Sequence, residues 1–522
     1  MLVHEILRRN ADFFGDEPAV IVPGSHTVSW LELQDRVHRL ANALLGLGLR
    51  PGDRVAIYAP NCSEYVEFYF ACAASGLAGA ALNVRLSPAE LVEYVSYVQP
   101  SAVLAHPTLA ASAAEWLPRA APDAALLRLG GGDGPGTGLE SLMSDATATP
   151  PPVDPSADDV YQLAATSGTT GPLKAALMTH RNALAAMVNW LCEMPVGEKD
   201  VALQCIPQYF NPGGPAHLHP VMMKGGCVVI PSAFSPLDFL DLAEEYSVTH
   251  AVMVPTMLQM ILGEAEARDT RLDHVKGINT GGSPLPADLL QRGRRAFGDV
   301  FYPIYGMAET FSCATMLRRE ALTGVGATEQ ARRLASVGRP MVLTGLRVVD
   351  AAGVDVPADS ETPGEIWLTG DTVSAGYLNL PEEQSREGAW FKTGDVAVVD
   401  EDHLVTIVDR TKDIIITGGI NVYSREVEQA LLLHPSVEQA AVIGLPHPRW
   451  GEGIHAIVVP REGTAPDVGE LIAHVGRHLA GYKKPQSVEL VESMPVGPTG
   501  KILKRRLRDE RVRDGSASPA DE

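Results

Sequence analysis

The segment Thr166-Ser167-Gly168-Thr169-Thr170-Gly171-Pro172-Leu173-Lys174 gathers hydroxyls, glycines and a lysine into one short run. Exposed backbone N–H groups, Ser and Thr hydroxyls and an ammonium can together wrap a polyphosphate. The Walker A spacing G-x-x-x-x-G-K-[ST] is absent, so this would be a different kind of phosphate loop. Alone, the segment reads equally well as an ordinary Ser/Thr/Gly turn.

Other unusual runs follow it: Gly281-Gly282-Ser283-Pro284-Leu285, Tyr305-Gly306-Met307-Ala308-Glu309-Thr310 and Lys392-Thr393-Gly394-Asp395. Then come Asp409-Arg410-Thr411-Lys412-Asp413, Gly418-Gly419-Ile420-Asn421-Val422-Tyr423 and Pro498-Thr499-Gly500-Lys501. The ordered set resembles the adenylate-forming superfamily of acyl-CoA synthetases, firefly luciferases and peptide-synthetase adenylation domains, and is closest in pattern to acid–CoA ligases. The resemblance covers the chain from about Thr27 to Leu507.

The resemblance implies a role for each run. Thr166, Ser167, Gly168, Thr169, Thr170, Gly171 and Lys174 would hold the β- and γ-phosphates of ATP. Gly282, Ser283 and Pro284 would pass one face of the adenine, where missing side chains let backbone approach closely. Tyr305, followed by Gly306, would stack on the other face. Glu309 would ligate Mg²⁺, a hard cation that prefers carboxylate and phosphate oxygens. Asp395 would accept from the ribose hydroxyls, assisted by Arg410. Lys501 would be catalytic with Glu309, its ammonium compensating the charge that builds as a carboxylate attacks the α-phosphate. Lys412 aligns with the family's hinge, and Gly418 and Gly419 with a tunnel for the pantetheine of coenzyme A. A glycine turn between two strands explains residues 414–423 equally well. The basic run Lys504, Arg505, Arg506 and Arg508 reads either as a solvated face or as further support for nucleotide phosphates.

The family positions of the acid pocket are Tyr209, Phe210, Asn211, Gly281, Met307, Phe311, Ser312 and Cys313. This mostly apolar lining suits an aryl or medium-chain acyl acid. Three departures from the family pattern stand out. Pro172-Leu173-Lys174-Ala175 shifts the proline and loses a glycine; Ala308 replaces a common Thr; and Phe210 stands where relatives carry His or Asp. Phe210 disfavours an α-amino acid substrate, because it cannot pair with an amine.

Elements must position these groups. Apolar residues at Leu33, Val37, Leu40, Ala41 and Leu44 follow a helical period. Arg54–Tyr58, 101–106 and 250–254 read as strands, and 236–246 and 256–262 as helices, an alternation that predicts parallel sheets covered by helices. Phe68 to Leu82 reads as one buried helix, and 128–157 as a loop or joint. Short strands at 346–350, 365–369 and 396–400 predict a β-rich subdomain; a helix at 424–433, strands at 440–444 and 455–459, and a helix at 468–479 predict a compact α+β end. The expected fold is thus α/β: a large N-terminal domain (1–409) of parallel-sheet subdomains plus a β-rich subdomain, then a small mobile α+β domain (410–522). A disordered tail is expected from about 514.

At 522 residues the chain exceeds one ordinary core. Its net charge of −22 argues against nucleic acid and anionic membranes as partners. Six scattered cysteines form neither a disulfide framework nor a zinc motif and are expected as small buried hydrophobes. No secretory signal or membrane span is legible, so a cytoplasmic protein is expected. The expected function is ATP-dependent activation of a carboxylic acid as acyl-AMP, then transfer to coenzyme A, with ATP, Mg²⁺ and coenzyme A as cofactors. The alternatives change the acceptor or acid: carrier-protein loading, amide formation, or activation of another oxyanion such as nitrite for diazotisation. A non-catalytic nucleotide-binding protein is the rival of a different class, and joint retention of Lys174, Glu309, Asp395, Arg410 and Lys501 speaks against it.

Overall fold

The computed structural model describes residues 1–166, 173–381, 385–497 and 501–513. Two compact units emerge. One comprises Met1–Thr166, Leu173–Leu346 and Leu368–Phe391; the other lies within Arg347–Trp367 and Lys392–Glu522.

The first unit is built on two sheets. A seven-stranded sheet runs in the order Thr137–Gly138, Ala125–Arg128, Ala102–Ala105, Arg54–Tyr58, Ala78–Ala81, Val160–Ala165, Ala175–Thr179. Every pairing in it is parallel except the last. A nine-stranded sheet runs Arg339–Pro340, Thr315–Met316, Phe301–Tyr305, Gly277–Thr280, His250–Met253, Val201–Leu203, Cys227–Val229, Pro18–Val22, His26–Ser29. Its centre is parallel and its edges antiparallel. The expected alternation of buried strands and amphipathic helices is the cause. The helix Trp30–Gly46 starts at a capping box formed by Ser29 and Glu32, and buries the stripe Leu33, Val37, Leu40, Ala41 and Leu44.

Two expectations are corrected here. Phe68–Leu82 is not one helix: the helix Glu64–Ser75 stops where Gly76 turns left-handed (φ 68°), and Ala78–Ala81 follows as a fully buried strand. A Cβ on Gly79 would stand 2.9 Å from the Phe68 ring, so the small residues serve close strand–helix packing rather than helix formation. The 128–157 stretch is not all loop, because it contains the edge strand Thr137–Gly138 and a helix, Leu139–Asp145, that buries Leu139 and Met143. Among the cysteines, Cys72, Cys205, Cys227 and Cys313 are buried, Cys62 is half-buried and Cys192 exposed.

In the second unit, the strand Val405–Arg410 pairs antiparallel with the end of Trp390–Val399, in a register that sets Asp395 opposite Arg410. A further sheet orders Ile420–Val422, Ile415–Thr417, Gly451–Pro460 and Val437–His447, with Ser487–Leu490 parallel to Gly451–Pro460. Helices Ser424–Leu432 and Val468–His478 cover one core containing Val427, Leu431, Leu471 and Val475. Helix Lys504–Arg513 covers another through Leu507, against Ile443, Ile457 and Met494. Among the described residues no helix is long and apolar enough to cross a membrane. The expected tail from 514 lies outside the described residues.

Candidate active site

The antiparallel strands Val160–Ala165 and Ala175–Thr179 carry the phosphate-loop segment between them. Its neck is closed by Thr166 and Lys174: the Thr166 N–H donates to the Lys174 carbonyl (2.9 Å), and the Lys174 N–H to the Thr166 hydroxyl (3.1 Å). Ser167, Gly168, Thr169, Thr170 and Gly171 lie outside the described residues. The Lys174 ammonium sits 5.0 Å from the centre of the Tyr377 ring. The Tyr377 hydroxyl donates to Glu309 Oε1 at 2.5 Å, and the Ser374 N–H donates to the Glu309 carbonyl at 2.7 Å. Glu309 is 7% exposed, within the 3₁₀ turn Ala308–Thr310.

Tyr305 and the Gly281-Gly282-Ser283-Pro284 turn lie at the C-terminal ends of adjacent parallel strands, Phe301–Tyr305 and Gly277–Thr280. Ligands of open α/β sheets bind at such ends. Gly282 needs its glycine, since its φ is +83°. Gly282, Ser283 and Pro284 are exposed and Tyr305 is half-buried. Gly306 is equally constrained, because a Cβ there would meet the Ser312 carbonyl carbon at 2.3 Å. Phe311 and Ser312, the residues pressing on it, are consecutive non-glycine positions with φ of 49° and 63°. Such local strain persists where surrounding packing enforces it.

The acid-pocket candidates come together around this turn. Tyr209, Phe311 and Cys313 belong to one buried cluster, against which Phe210, Ile304 and Ala308 pack. The Tyr209 and Phe210 rings meet edge-on, 4.7 Å apart. The Asn211 amide donates to the Ala308 carbonyl (3.3 Å) and its oxygen accepts from Gln162 (3.3 Å). The Ser312 N–H donates to the Met307 carbonyl at 2.9 Å. Gly281 is close to Ile304, whose Cγ1 would lie 3.0 Å from an added Cβ. Burial pushes the Cys313 thiol up to about 12, so it packs rather than reacts. His219, near Phe210 in sequence, packs against Phe70 and is held neutral by burial at about 3.

In the second unit, Arg410 Nε donates to Asp395 Oδ1 at 3.1 Å. Asp395 is 6% exposed, and its backbone N–H donates to the Thr393 hydroxyl at 3.1 Å. Lys501 is exposed, yet its ammonium is held below the ordinary lysine value, by partial burial first and then by the charge of Arg410. Asp395 pulls it back up. The lysine thus stands within electrostatic reach of both members of the ribose-type pair. Pro498-Thr499-Gly500 lie outside the described residues.

Lys412 is exposed in the turn after Arg410. Gly418 and Gly419, with φ of 58° and 80°, form the tip of a two-residue hairpin between Ile415–Thr417 and Ile420–Val422. Trp450 lies against that tip, its carbonyl accepting from the Gly418 N–H at 2.8 Å. The basic run is largely occupied inside its own unit. Lys504 binds Glu428 (2.6 Å) and the Ser424 hydroxyl (2.7 Å), and Arg505 and Arg506 pair one helical turn on with Asp509 and Glu510. Tyr377 escaped the sequence reading altogether, because only the fold brings it 68 residues back to Glu309.

Glu309 fits a magnesium site of one kind. Among the described residues no three His, Cys, Asp or Glu side chains converge. A lone buried carboxylate suits a cation whose other ligands are nucleotide phosphates and water.

A glycine turn and an aromatic at parallel strand ends, followed by a buried glutamate, fit the nucleotide site of an adenylating enzyme. The chain belongs to the AMP-binding enzyme family: that family matches residues 7–378 and its C-terminal domain residues 426–501. It is similar to feruloyl-CoA synthase of an Amycolatopsis species, 38% identical over 93% of this chain and 94% of that one. It is also similar to the fatty acid–[acyl-carrier-protein] ligase ScoC of Streptomyces coeruleorubidus, 34% identical over 94% and 93%. The solved structure of ATP-bound MatB from Rhodopseudomonas palustris superposes with a TM-score of 0.85, at 28% identity over 98% of this chain and 99% of that one. The expected class and fold therefore hold. The chain is an AMP-forming ligase of the acyl-CoA synthetase type, using ATP, Mg²⁺ and coenzyme A on a small-molecule acid.

Proposed function

We propose that the substrate is an aryl or medium-chain carboxylic acid, activated in the cytoplasm as acyl-AMP and passed to coenzyme A. The observation carrying this reading is the apolar character of Tyr209, Phe210, Phe311 and Cys313 around the Gly306 turn. No formal charge stands among them to pair with an amine or a second carboxylate. The similarity to a feruloyl-CoA synthase supports an aryl acid.

The residue roles follow the same reading. Thr166, Lys174 and the loop between them grip the β- and γ-phosphates, Gly282-Ser283-Pro284 and Tyr305 flank the adenine, and Asp395 with Arg410 takes the ribose hydroxyls. Magnesium on Glu309 would screen charge on the departing pyrophosphate. Lys501 stabilises the charge that gathers at the α-phosphate as the acid oxygen attacks. Residues 410–522 then turn about Lys412 to bring the Gly418-Gly419 hairpin to the adenylate for thiol attack.

A second acceptor is favoured by one observation, the similarity to a fatty acid–[acyl-carrier-protein] ligase, so a carrier-protein thiol is the alternative to coenzyme A. Pyrophosphate exchange across an acid panel, followed by mass spectrometry with each thiol, tests both. Adenylate that accumulates without an acyl-CoA product would remove coenzyme A as the acceptor.

A further inference from the structure

The 3₁₀ turn Ala308–Thr310, which carries Glu309, is too short to satisfy its own backbone. The Met307 carbonyl accepts from the Thr310 and Ser312 N–H groups, at 3.1 and 2.9 Å. The chain then turns left-handed at Phe311 and Ser312, and the next two carbonyls take their donors from distant segments. That of Glu309 accepts from the Ser374 N–H, and that of Ala308 from the Asn211 carboxamide at 3.3 Å. Asn211 is thus one of the pins that hold the turn in place.

The backbone of Asn211 is itself tightly held. It opens the 3₁₀ turn Asn211–Gly213, where a Cβ on Gly213 would stand 2.3 Å from the Pro207 carbonyl oxygen. The orientation of the amide is what remains to be set. Nδ2 can donate to the Ala308 carbonyl, whereas a flipped amide would turn Oδ1 on it, acceptor against acceptor. Gln162 supports the first orientation, because its Nε2 donates to Asn211 Oδ1 at 3.3 Å. Gln162 is 3% exposed, and its Oε1 has no partner among the described residues. An unpaired buried acceptor opposes folding, and a leucine there would leave none. Unpaired buried polar groups are rare enough in native proteins to require a cause. Gln162 is fixed between Gly79 and Met178 in the sheet, four residues before Thr166 at the neck of the phosphate loop.

We propose that Gln162 and Asn211 are positioning residues for magnesium-dependent ATP binding. Gln162 orients the Asn211 carboxamide, and Asn211 holds the Ala308 carbonyl, and with it Glu309, against the strand that opens the phosphate loop. The inference rests on the magnesium role proposed for Glu309 and extends it to two amides that act through the backbone of its turn. Packing of two amides in the buried cluster, without effect on Glu309, is the competing account.

The test is calorimetric ATP binding, in magnesium and in EDTA, to the full chain and to Gln162→Leu, Asn211→Leu and the double variant. Gln162→Leu is similar in volume and removes the unpaired acceptor, so its melting temperature should hold or rise. Its ATP affinity in magnesium should nonetheless fall about two- to tenfold, the range for one neutral hydrogen bond, with affinity in EDTA unchanged. Because Gln162 acts through Asn211, the double variant should lose no more than Asn211→Leu alone. Unchanged affinity in magnesium, equal losses in magnesium and EDTA, additive losses in the double variant, or a change confined to KM for the acid would overturn the proposal. If Gln162→Leu fails to fold, Gln162→Met replaces it; if Asn211→Leu fails to fold, the Gln162 variants decide. Tyr377→Phe, which bears on Glu309 by another route, separates the two readings. Should it also leave binding in magnesium unchanged, the role of Glu309 falls; should it alone weaken that binding, only the amide relay falls.

Discussion

Tyr377 joins Glu309 and Lys174 through two different faces of one side chain: its hydroxyl donates to the Glu309 carboxylate at 2.5 Å, and its ring supports the Lys174 ammonium at 5.0 Å. Tyr377 is therefore a positioning residue for the carboxylate proposed to meet magnesium. Tyr377→Phe keeps the ring and removes only the hydrogen bond. Loss of a hydrogen bond to a charged group costs about 1.5–3 kcal/mol, so the magnesium concentration for half-maximal exchange should rise about ten- to a hundredfold. Calorimetric ATP binding should weaken in magnesium and stay unchanged in EDTA. A merely structural role would weaken both alike.

Lys501→Ala should cut adenylation about a hundred- to a thousandfold, the usual loss when one charge-stabilising donor is removed, while equilibrium ATP binding persists. The pH profile gives a second reading. Burial first and then Arg410 depress the Lys501 ammonium, and Asp395 only partly raises it, so the alkaline limb of kcat should fall below the ordinary lysine range. Removing the Arg410 charge with Arg410→Gln should move that limb up, and Asp395→Asn should move it down. Stopped-flow pyrophosphate release across pH 7 to 11 would register these opposite shifts.

Gly306→Ala adds one methyl group against backbone rather than against a yielding side chain, with the Ser312 carbonyl carbon 2.3 Å away. The Phe311-Ser312 turn must then move, and with it the apolar wall proposed for the acid. The variant should lose most of its kcat/KM for the acid. Its melting temperature should fall by several degrees, as expected for about 1–3 kcal/mol of overpacking.

Asp200 governs acid stability away from the site. Burial raises its pKa, but His250, the Gly197 N–H and Lys276 together outweigh burial and hold the carboxyl at about 2. A carboxyl depressed in the folded state binds fewer protons there than when unfolded. Its contribution is therefore complete above about pH 5 and disappears as pH falls towards 2. Asp200→Asn should cost about 1–2 kcal/mol at pH 6 in urea unfolding, and the gap from wild type should close by pH 2.

Much of the fold was legible where local chemistry settles the outcome. Arg54–Tyr58 appears as the strand expected, and Ser29 with Glu32 starts the helix whose buried stripe the spacing predicts. Among the described motif residues, Gly282, Gly418 and Gly419 land in turns because glycine reaches the positive φ those turns require. Phe68–Leu82 misled because an Ala/Gly-rich run is compatible with both a buried helix and a buried strand, and a single left-handed Gly76 separates them. Tyr377 could not be found by pattern, because it acts across a long sequence separation.

Lys504 reaches, through Ser424, the Asp409 carboxylate, whose other oxygen accepts from the Arg410 N–H. Helix Lys504–Arg513 is thereby a remote buttress for the guanidinium proposed to meet the sugar. Clipping the chain before residue 504 would thus register as weakened nucleotide grip, even though no part of the helix need ever touch ATP.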